Sequence, residues 1–276
     1  MNKIIKKIIN SLISTIFIIL KNKHKRTKVL SFFSRLTFDR NNLIEFDSSN
    51  NLYWLKTGKQ YLYAVEIPQF NFSKEKLFQS IESIYCKKYI PKSADVVVDI
   101  GAGIGTELVY FTEKVGINGK VYSVEASKSS FIKTQLLCLK NEFINTINFN
   151  LAICDFNGEI WIEETLDFEK NRINNEKQGN SVDAITFDEF VDVNKIEKID
   201  FLKINIEGGE LEMFQSMTKS LNITENIAVS CHDFLFQDSR RIKQTIVSIL
   251  ELNGFQIFYN STGNIVTDSW IYAQKK

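Results

Sequence analysis

The chain is poor in the residues that punctuate or staple a fold. Two prolines in 276 residues, and no Gly/Ser-rich stretch, leave no linker signal, so no sharp domain boundary is expected beyond the N-terminal segment. Four cysteines, Cys86, Cys138, Cys154 and Cys231, are scattered without a C-x-x-C pair; this argues against a zinc site and a small disulfide framework and leaves reduced core thiols in a cytosolic protein. A formal net charge of +1 supplies no global field for nucleic acid, which is not expected as a partner. No G-x-S-x-G elbow or Cys/His signature supports a nucleophilic hydrolase. No internal repeat occurs. The apolar run Ile8–Leu20 is too short to span a bilayer and carries polar residues, whereas a span takes about 20 mostly apolar residues.

What the chain does have is a hydrophobic content of 44%, ample for the core of one elaborated α/β domain. The most informative stretch is Ala94-Asp-Val-Val-Val-Asp99-Ile-Gly101-Ala-Gly103-Ile-Gly105-Thr106. Val96, Val97 and Val98 form the β-branched run of a strand buried on both faces, and the glycines let the backbone turn sharply before a helix. A dinucleotide fingerprint starting at Gly101 would need glycine where Thr106 stands. Asp99, two residues before the first glycine, gives instead the D-x-G-x-G spacing of S-adenosylmethionine-binding turns. The next strand, Lys120-Val-Tyr-Ser-Val-Glu125, ends in a carboxylate placed to accept hydrogen bonds from ribose hydroxyls.

Three segments are expected. Residues 1–28 carry Ile4, Ile5, Ile8, Ile9, Leu12, Ile13, Ile16 and Phe17 at helical spacing, with Lys6 and Lys7 between them, an amphipathic helix. Lys21–Arg26 stands where a signal peptide would have its small-residue cleavage site. The helix suits packing on a domain, a basic interfacial role on an anionic membrane, or a signal anchor. Localisation is therefore expected to be cytoplasmic, with peripheral contact at the inner face of the membrane as one option. Residues 29–72 read as a small cap with a β-hairpin around Gly58, built from Leu52–Leu55 and Tyr61–Ile67. Residues 73–276 alternate strand and helix: a helix from Ser73, the glycine-turn strand, a helix Ser127–Lys140, strands Ile147–Ile153 and Ile199–Ile206, a helix Gly208–Leu221, a strand Ile227–Cys231, a helix Arg240–Leu252, and a closing hairpin Gly254–Tyr259 with Ile265–Ala273. Gly179–Ile185 has no clear assignment. Such alternation demands a doubly wound, mostly parallel sheet, to which the hairpin adds an antiparallel C-terminal strand.

Three motifs in order, Asp99-Ile-Gly-Ala-Gly-Ile-Gly105, Ala152-Ile-Cys-Asp155-Phe-Asn-Gly158-Glu and Asp200-Phe-Leu-Lys203-Ile-Asn205-Ile-Glu207-Gly208-Gly-Glu210, resemble those of the FkbM family of S-adenosylmethionine-dependent methyltransferases. The likeness runs from about Ser73 to the C-terminus. It implies a class I methyltransferase (Rossmann-like) fold with a seven-stranded sheet, S-adenosylmethionine as cofactor, and O-methylation, commonly of sugars, glycoconjugates or other hydroxylated metabolites. Asn205 stands where the family usually has aspartate.

Methyl transfer from a sulfonium is an in-line displacement, so the protein must align the acceptor oxygen and can also remove its proton. Catalytic candidates are His232, Glu207, Asn205 and Lys203, the first three just beyond strands on the ligand rim of the sheet. His232, one of two histidines, suits a base or a polar residue satisfied by neighbouring backbone. Lys203, inside an apolar strand, suits pairing with a carboxylate. Cofactor-binding candidates are Asp99, Gly101, Gly103, Gly105, Glu125, Ala152 and Glu207. Glu207, His232 and Asp233 lack recognisable metal-ligand spacing, and no metal is expected. The alternatives to an active O-methyltransferase are a cofactor-binding scaffold or weakened homologue, motivated by Asn205, and more distantly a nicotinamide oxidoreductase. The partner is a small-molecule or glycan acceptor; the loops that would read it, Thr165–Asn180 and Phe234–Ser239, show no ligand pattern, and the oligomeric state is not legible.

Overall fold

The computed structural model describes residues 20–163, 172–173, 179–235 and 242–276. The apolar stripe of Ile4–Phe17 and parts of both expected acceptor loops lie outside the described residues. The chain divides into two compact units, residues 1–77 and 78–276.

In the first unit, helix α1 (Lys23–Thr37) opens on Asn22, whose side chain accepts the Lys25 N–H at 3.0 Å, an N-cap that satisfies one of the orphan donors of the first turn. The helix runs through position 28, where the sequence placed a segment boundary. Its buried face, which includes Leu30, Ser31 and Ser34, packs on β1 (Asn42–Asp47). The expected hairpin is present as β2 (Leu52–Thr57) and β3 (Gln60–Val65), but β1 adds a third antiparallel strand. That strand was missed because its placement depends on a buried polar side chain. Asn42 Nδ2 donates to Ser34 Oγ at 2.9 Å and to the Phe72 carbonyl at 2.7 Å, and Asn42 Oδ1 accepts from Thr57 Oγ1 at 2.7 Å.

Helix α2 (Lys74–Ile84) follows, with the division of the chain falling inside it. The second unit then runs β4 (Val96–Ile100), α3 (Thr106–Val115), β5 (Lys120–Val124), α4 (Lys128–Asn141), β6 (Thr146–Phe149), β7 (Ala152–Cys154), β8 (Gly158–Glu163), β9 (Arg172–Ile173), β10 (Asn180–Thr186), α5 (Phe187–Val193), β11 (Phe201–Ile204), α6 (Glu210–Gln215), β12 (Asn226–Ser230), α7 (Ile242–Leu252), β13 (Phe255–Tyr259), α8 (Ile265–Ser269) and β14 (Trp270–Lys275). Seven strands form one sheet in the order β13-β14-β12-β11-β4-β5-β6. Pairings from β6 across to β12 are parallel, and β14 is antiparallel to both its neighbours. The chain winds outward from β4 through β5 to β6, then restarts at β11 on the other side. This makes β4/β11 the topological switch point, outside whose carboxyl ends open α/β sheets bind ligands. A smaller sheet, β7-β10-β8-β9, accounts for the unassigned stretch Gly179–Ile185.

Local side chains explain where elements are shorter than their hydrophobic pattern. The strand expected over Ile147–Ile153 is split between the two sheets, because Asn150 Nδ2 turns to the carbonyls of Glu125 and Ala126 at 3.0 and 2.9 Å. The helix expected over Gly208–Leu221 stops at Gln215, since the N–H groups of Thr218, Lys219 and Ser220 all donate to the Asp188 carboxylate. Burial pushes that carboxyl up, but these donors and two hydroxyls hold it down to about 2. The segment expected to be strand from Ile265 begins as the short helix α8, capped by Asn264, whose side chain accepts the Thr267 N–H at 3.0 Å.

The two central strands carry a charge pair in the middle of the core. Asp99 of β4 and Lys203 of β11 are register partners, 0% and 1% exposed. Lys203 Nζ lies 2.9 Å from Asp99 Oδ1, donates to the Gly101 carbonyl at 2.8 Å, and sits 5.6 Å from the centre of the Tyr85 ring. Burial opposes the ammonium charge, yet Asp99, with Glu107 and Glu125 behind it, keeps Lys203 above the ordinary lysine range. Removing one partner of a buried pair leaves the other uncompensated, at a cost of about 3–5 kcal/mol. Lys203→Met should therefore lose about that much stability in urea unfolding, and Lys203→Met/Asp99→Leu should recover most of it. A Lys203→Met protein within about 0.5 kcal/mol of the parent, the range of neutral surface changes, would show that the pair does not hold the strands.

Candidate active site

The glycine turn is a self-satisfied piece of backbone. Gly101 and Ala102 N–H groups donate to the Val124 carbonyl at 2.9 and 3.1 Å, and Gly105 N–H to the Ala102 carbonyl at 3.0 Å. The Gly103 carbonyl accepts from Thr134 Oγ1 at 3.0 Å. Gly101 must be glycine for the sheet's own sake: its φ is +77°, and a Cβ would stand 1.9 Å from the Asn205 carbonyl oxygen. Gly105, at φ +83°, caps α3 in the left-handed region.

Glu125, at the end of β5, closes over this turn. Its Oε2 accepts the Gly103 N–H and its Oε1 the Ser127 N–H, both at 2.7 Å. Burial pushes the carboxyl up to about 7, against the lowering effect of those two N–H donors. A carboxylate sitting on a turn amide disfavours a pyrophosphate there and suits neutral hydroxyl donors, so the residues present fit the ribose of S-adenosylmethionine better than a dinucleotide. Asn150 and the Leu151 N–H, which donates to the Glu125 carbonyl at 3.3 Å, tie the following segment to the same corner.

Other expected cofactor and catalytic residues take supporting places. Asp99 is fully buried under the turn, so its carboxylate serves Lys203 rather than a ligand. Lys203 in turn spends its ammonium on Asp99 and Gly101, which makes it a support of the turn and not a member of the reacting set. Ala152 lies in β7 with its side chain in the core of the small sheet, among Cys154, Ile160 and Ala184. Asn205 contributes its main chain, whose N–H donates to the Ile100 carbonyl at 3.0 Å.

The rim beyond β11 and β12 does bring expected residues together. His232 Nε2 lies 3.5 Å from Glu207 Oε2. Glu207 is held at φ +53°, a left-handed conformation rare for a residue with a side chain, in the loop between β11 and α6. The residue that the sequence left without a role is Glu210. It is fully buried at the start of α6, and its Oε1 meets His232 Nδ1 at 2.6 Å while accepting the Ile206 and Gly208 N–H groups at 3.2 and 3.3 Å. The signal was a second carboxylate three residues past Glu207 on the first helical turn. Ser230 Oγ, 3.4 Å from His232 Nε2, completes the ring's surroundings. Burial opposes charge on His232, but Glu210, Glu207 and Asp233 outweigh it and hold the imidazole above its ordinary range.

Among the described residues, no group of three His, Cys, Asp or Glu side chains forms a metal-binding set. All four cysteines are free and buried. Burial pushes Cys86 up to about 12 and Cys138 and Cys154 up to about 11, and raises Cys231 as well, so none is poised as a nucleophile.

The state of Glu125 generates a test. Hydroxyl donors favour the ionised carboxylate, so S-adenosylmethionine should bind more tightly as pH rises through about 7 and should release a proton near that pH. Calorimetry in buffers of different ionisation enthalpy measures both. Glu125→Gln should bind about tenfold more weakly or worse, with a flat pH profile. Unchanged affinity with the parental pH dependence would remove Glu125 from the cofactor site.

A model of the methyltransferase FkbM domain matches residues 99–257, more than half of the chain. Methyltransferase FkbM from Methylobacillus flagellatus is similar over 67% of this chain at 17% identity and a TM-score of 0.45; the match spans less than half of that protein, 44%. Aeropyrum pernix fibrillarin, in complex with natively bound S-adenosyl-L-methionine, is similar over 81% of this chain and 94% of its own, at 11% identity and a TM-score of 0.47. A SAM-dependent O-methyltransferase from Thermotoga maritima is similar over 76% and 68%, at 14% identity and a TM-score of 0.40. No curated protein matches the chain. With the family model covering both the glycine turn and the Glu210–His232 pair, the chain belongs to the FkbM family of S-adenosylmethionine-dependent methyltransferases.

Proposed function

We propose that the protein is an O-methyltransferase acting on a hydroxyl of a sugar, glycoconjugate or other hydroxylated metabolite. The observation that carries this reading is the Glu210–His232 contact of 2.6 Å. A buried carboxylate accepting from Nδ1–H leaves Nε2, which lies beside Glu207 Oε2 and Ser230 Oγ, as the proton acceptor, the arrangement of an oriented general base. Such a base matters for a hydroxyl, whose proton must leave as the oxygen attacks.

Bound S-adenosylmethionine supplies an electrophilic methyl carbon. The proton of an acceptor hydroxyl would pass to His232 Nε2 as that oxygen takes the methyl group, and the ring would be held through the transfer by the Nδ1 contact with Glu210. Glu207 Oε2 is placed to accept a hydrogen bond from the acceptor and fix its approach. A cavity of about 720 Å³, within the usual range of small-molecule sites, is lined by Cys231 and Asp233, the chain neighbours of His232, and not by His232 itself. It is lined by Phe234, Tyr259, Val247 and Ile265 with Asp233 and Lys243. The Phe234 ring centre is 5.5 Å from that of His232. Aromatic faces beside carboxylates suit an acceptor that has both apolar C–H faces and hydroxyls.

The reading sets a pH profile. The neutral imidazole is the active form, and the surrounding carboxylates raise its pKa, so kcat/KM should rise with pH along a limb centred above the ordinary histidine value of about 6.5. His232→Ala should lower methyl transfer by about 10²–10⁴ and flatten that limb while cofactor affinity changes little. Radiolabelled methyl transfer to a panel of sugars and glycolipids measures this. Full turnover with the parental profile in His232→Ala would rule out the base. Cofactor binding without transfer to any member of the panel would favour a scaffold.

A further inference from the structure

The charge of this chain is concentrated at one end. Its first 38 residues hold nine lysines and arginines and no acidic residue, which leaves 25 basic against 33 acidic residues in the remainder. A near-neutral total therefore hides a strongly basic segment on an acidic body. Part of that segment is α1, whose inner face packs on β1. Its outer face displays Lys25, Lys28, Phe32 and Leu36, all exposed and spaced by three or four residues so that they share one stripe, with exposed Lys21 just before the helix and Arg35 at the stripe's edge, where its Nε donates to the Asn42 carbonyl at 2.8 Å. Two of these are large apolar side chains in the open, Phe32 at 62% and Leu36 at 70% exposure.

We propose that this stripe docks the protein on an anionic lipid bilayer. Basic residues beside exposed aromatic and aliphatic ones, with no acid among them, complement a surface that is negative at the headgroups and apolar just beneath. Lys21, Lys25 and Lys28 meet the headgroups, and Phe32 and Leu36 enter the boundary of the acyl chains. A nucleic acid would match the charges but leave Phe32 and Leu36 without a partner. No helix among the described residues is long and apolar enough to cross a membrane, so contact through α1 lies on the bilayer.

Cosedimentation of the full chain with vesicles of phosphatidylcholine alone, and of phosphatidylcholine with phosphatidylglycerol, tests the proposal. Binding should require phosphatidylglycerol and weaken with added salt. Lys25→Gln/Lys28→Gln should weaken it about tenfold or more, from roughly fivefold per basic residue near such a surface. Phe32→Ser/Leu36→Ser should weaken it by a similar factor without changing its salt dependence. Unchanged circular dichroism and S-adenosylmethionine affinity in both variants separate lost docking from lost folding. Equal binding to both vesicle types, or no loss in either variant, would overturn the proposal. So would single-stranded RNA binding that falls in the lysine variant and is untouched in Phe32→Ser/Leu36→Ser, which would identify a polyanion site instead.

Discussion

A buried ammonium in the centre of the sheet sets the terms for everything above it. Lys203 and Asp99 face one another across β11 and β4 with no access to water, and an ion in that position persists only if its partners are fixed. Lys203 meets the demand by also holding the Gly101 carbonyl. The glycine turn is thus anchored from below by a charge-assisted bond and laterally by Val124 and Glu125. Backbone closeness completes the clamp: the Asn205 carbonyl occupies the space where a side chain on residue 101 would begin. The turn and the strand end that leads to Glu207 are therefore in direct backbone contact.

Electrostatics then divide the rim into two kinds of acid. Glu125 is raised to about 7 by burial, which leaves it ready to ionise when hydroxyl donors arrive. Glu210 is buried with its Oε1 engaged by two backbone N–H groups and His232, and so orients the imidazole. Glu207, in a left-handed conformation costing on the order of 1 kcal/mol or more, is held where its carboxylate meets Nε2. Strain of this kind persists where the surrounding structure over-determines it, and here the Lys203 clamp and the Glu210 bonds to Ile206 and Gly208 do so.

The fold was legible because its signals are local. Valine runs, glycine at turns and alternating amphipathic segments each reveal their own element, and their order dictates the parallel sheet. Element ends were not legible where a distant side chain decides them. Asp188 ends α6 from 30 residues away, Asn150 splits β6 from β7, and Asn42 seats β1 against α1 and β2. The site shows the same division. Glu125 and His232 stand at the ends of strands that the sequence marks, and Lys203 pairs with a carboxylate as its apolar strand suggests, but that carboxylate is Asp99, which the sequence had assigned to the cofactor. Glu210 stood in view within Glu207-Gly-Gly-Glu210, but its role depends on a histidine 22 positions downstream, a separation no periodic pattern encodes.

The Glu210–His232 axis can be measured in isolation from any acceptor. The chain holds only two histidines, His24 and His232, so the ring nitrogens can be assigned and titrated individually by heteronuclear NMR. His232 should carry its neutral-state proton on Nδ1 and titrate above the ordinary imidazole value of about 6.5, and Glu210→Gln should bring that titration down. A His232 protonated on Nε2 in its neutral form, or a titration unmoved by Glu210→Gln, would contradict its proposed role as the base for methyl transfer.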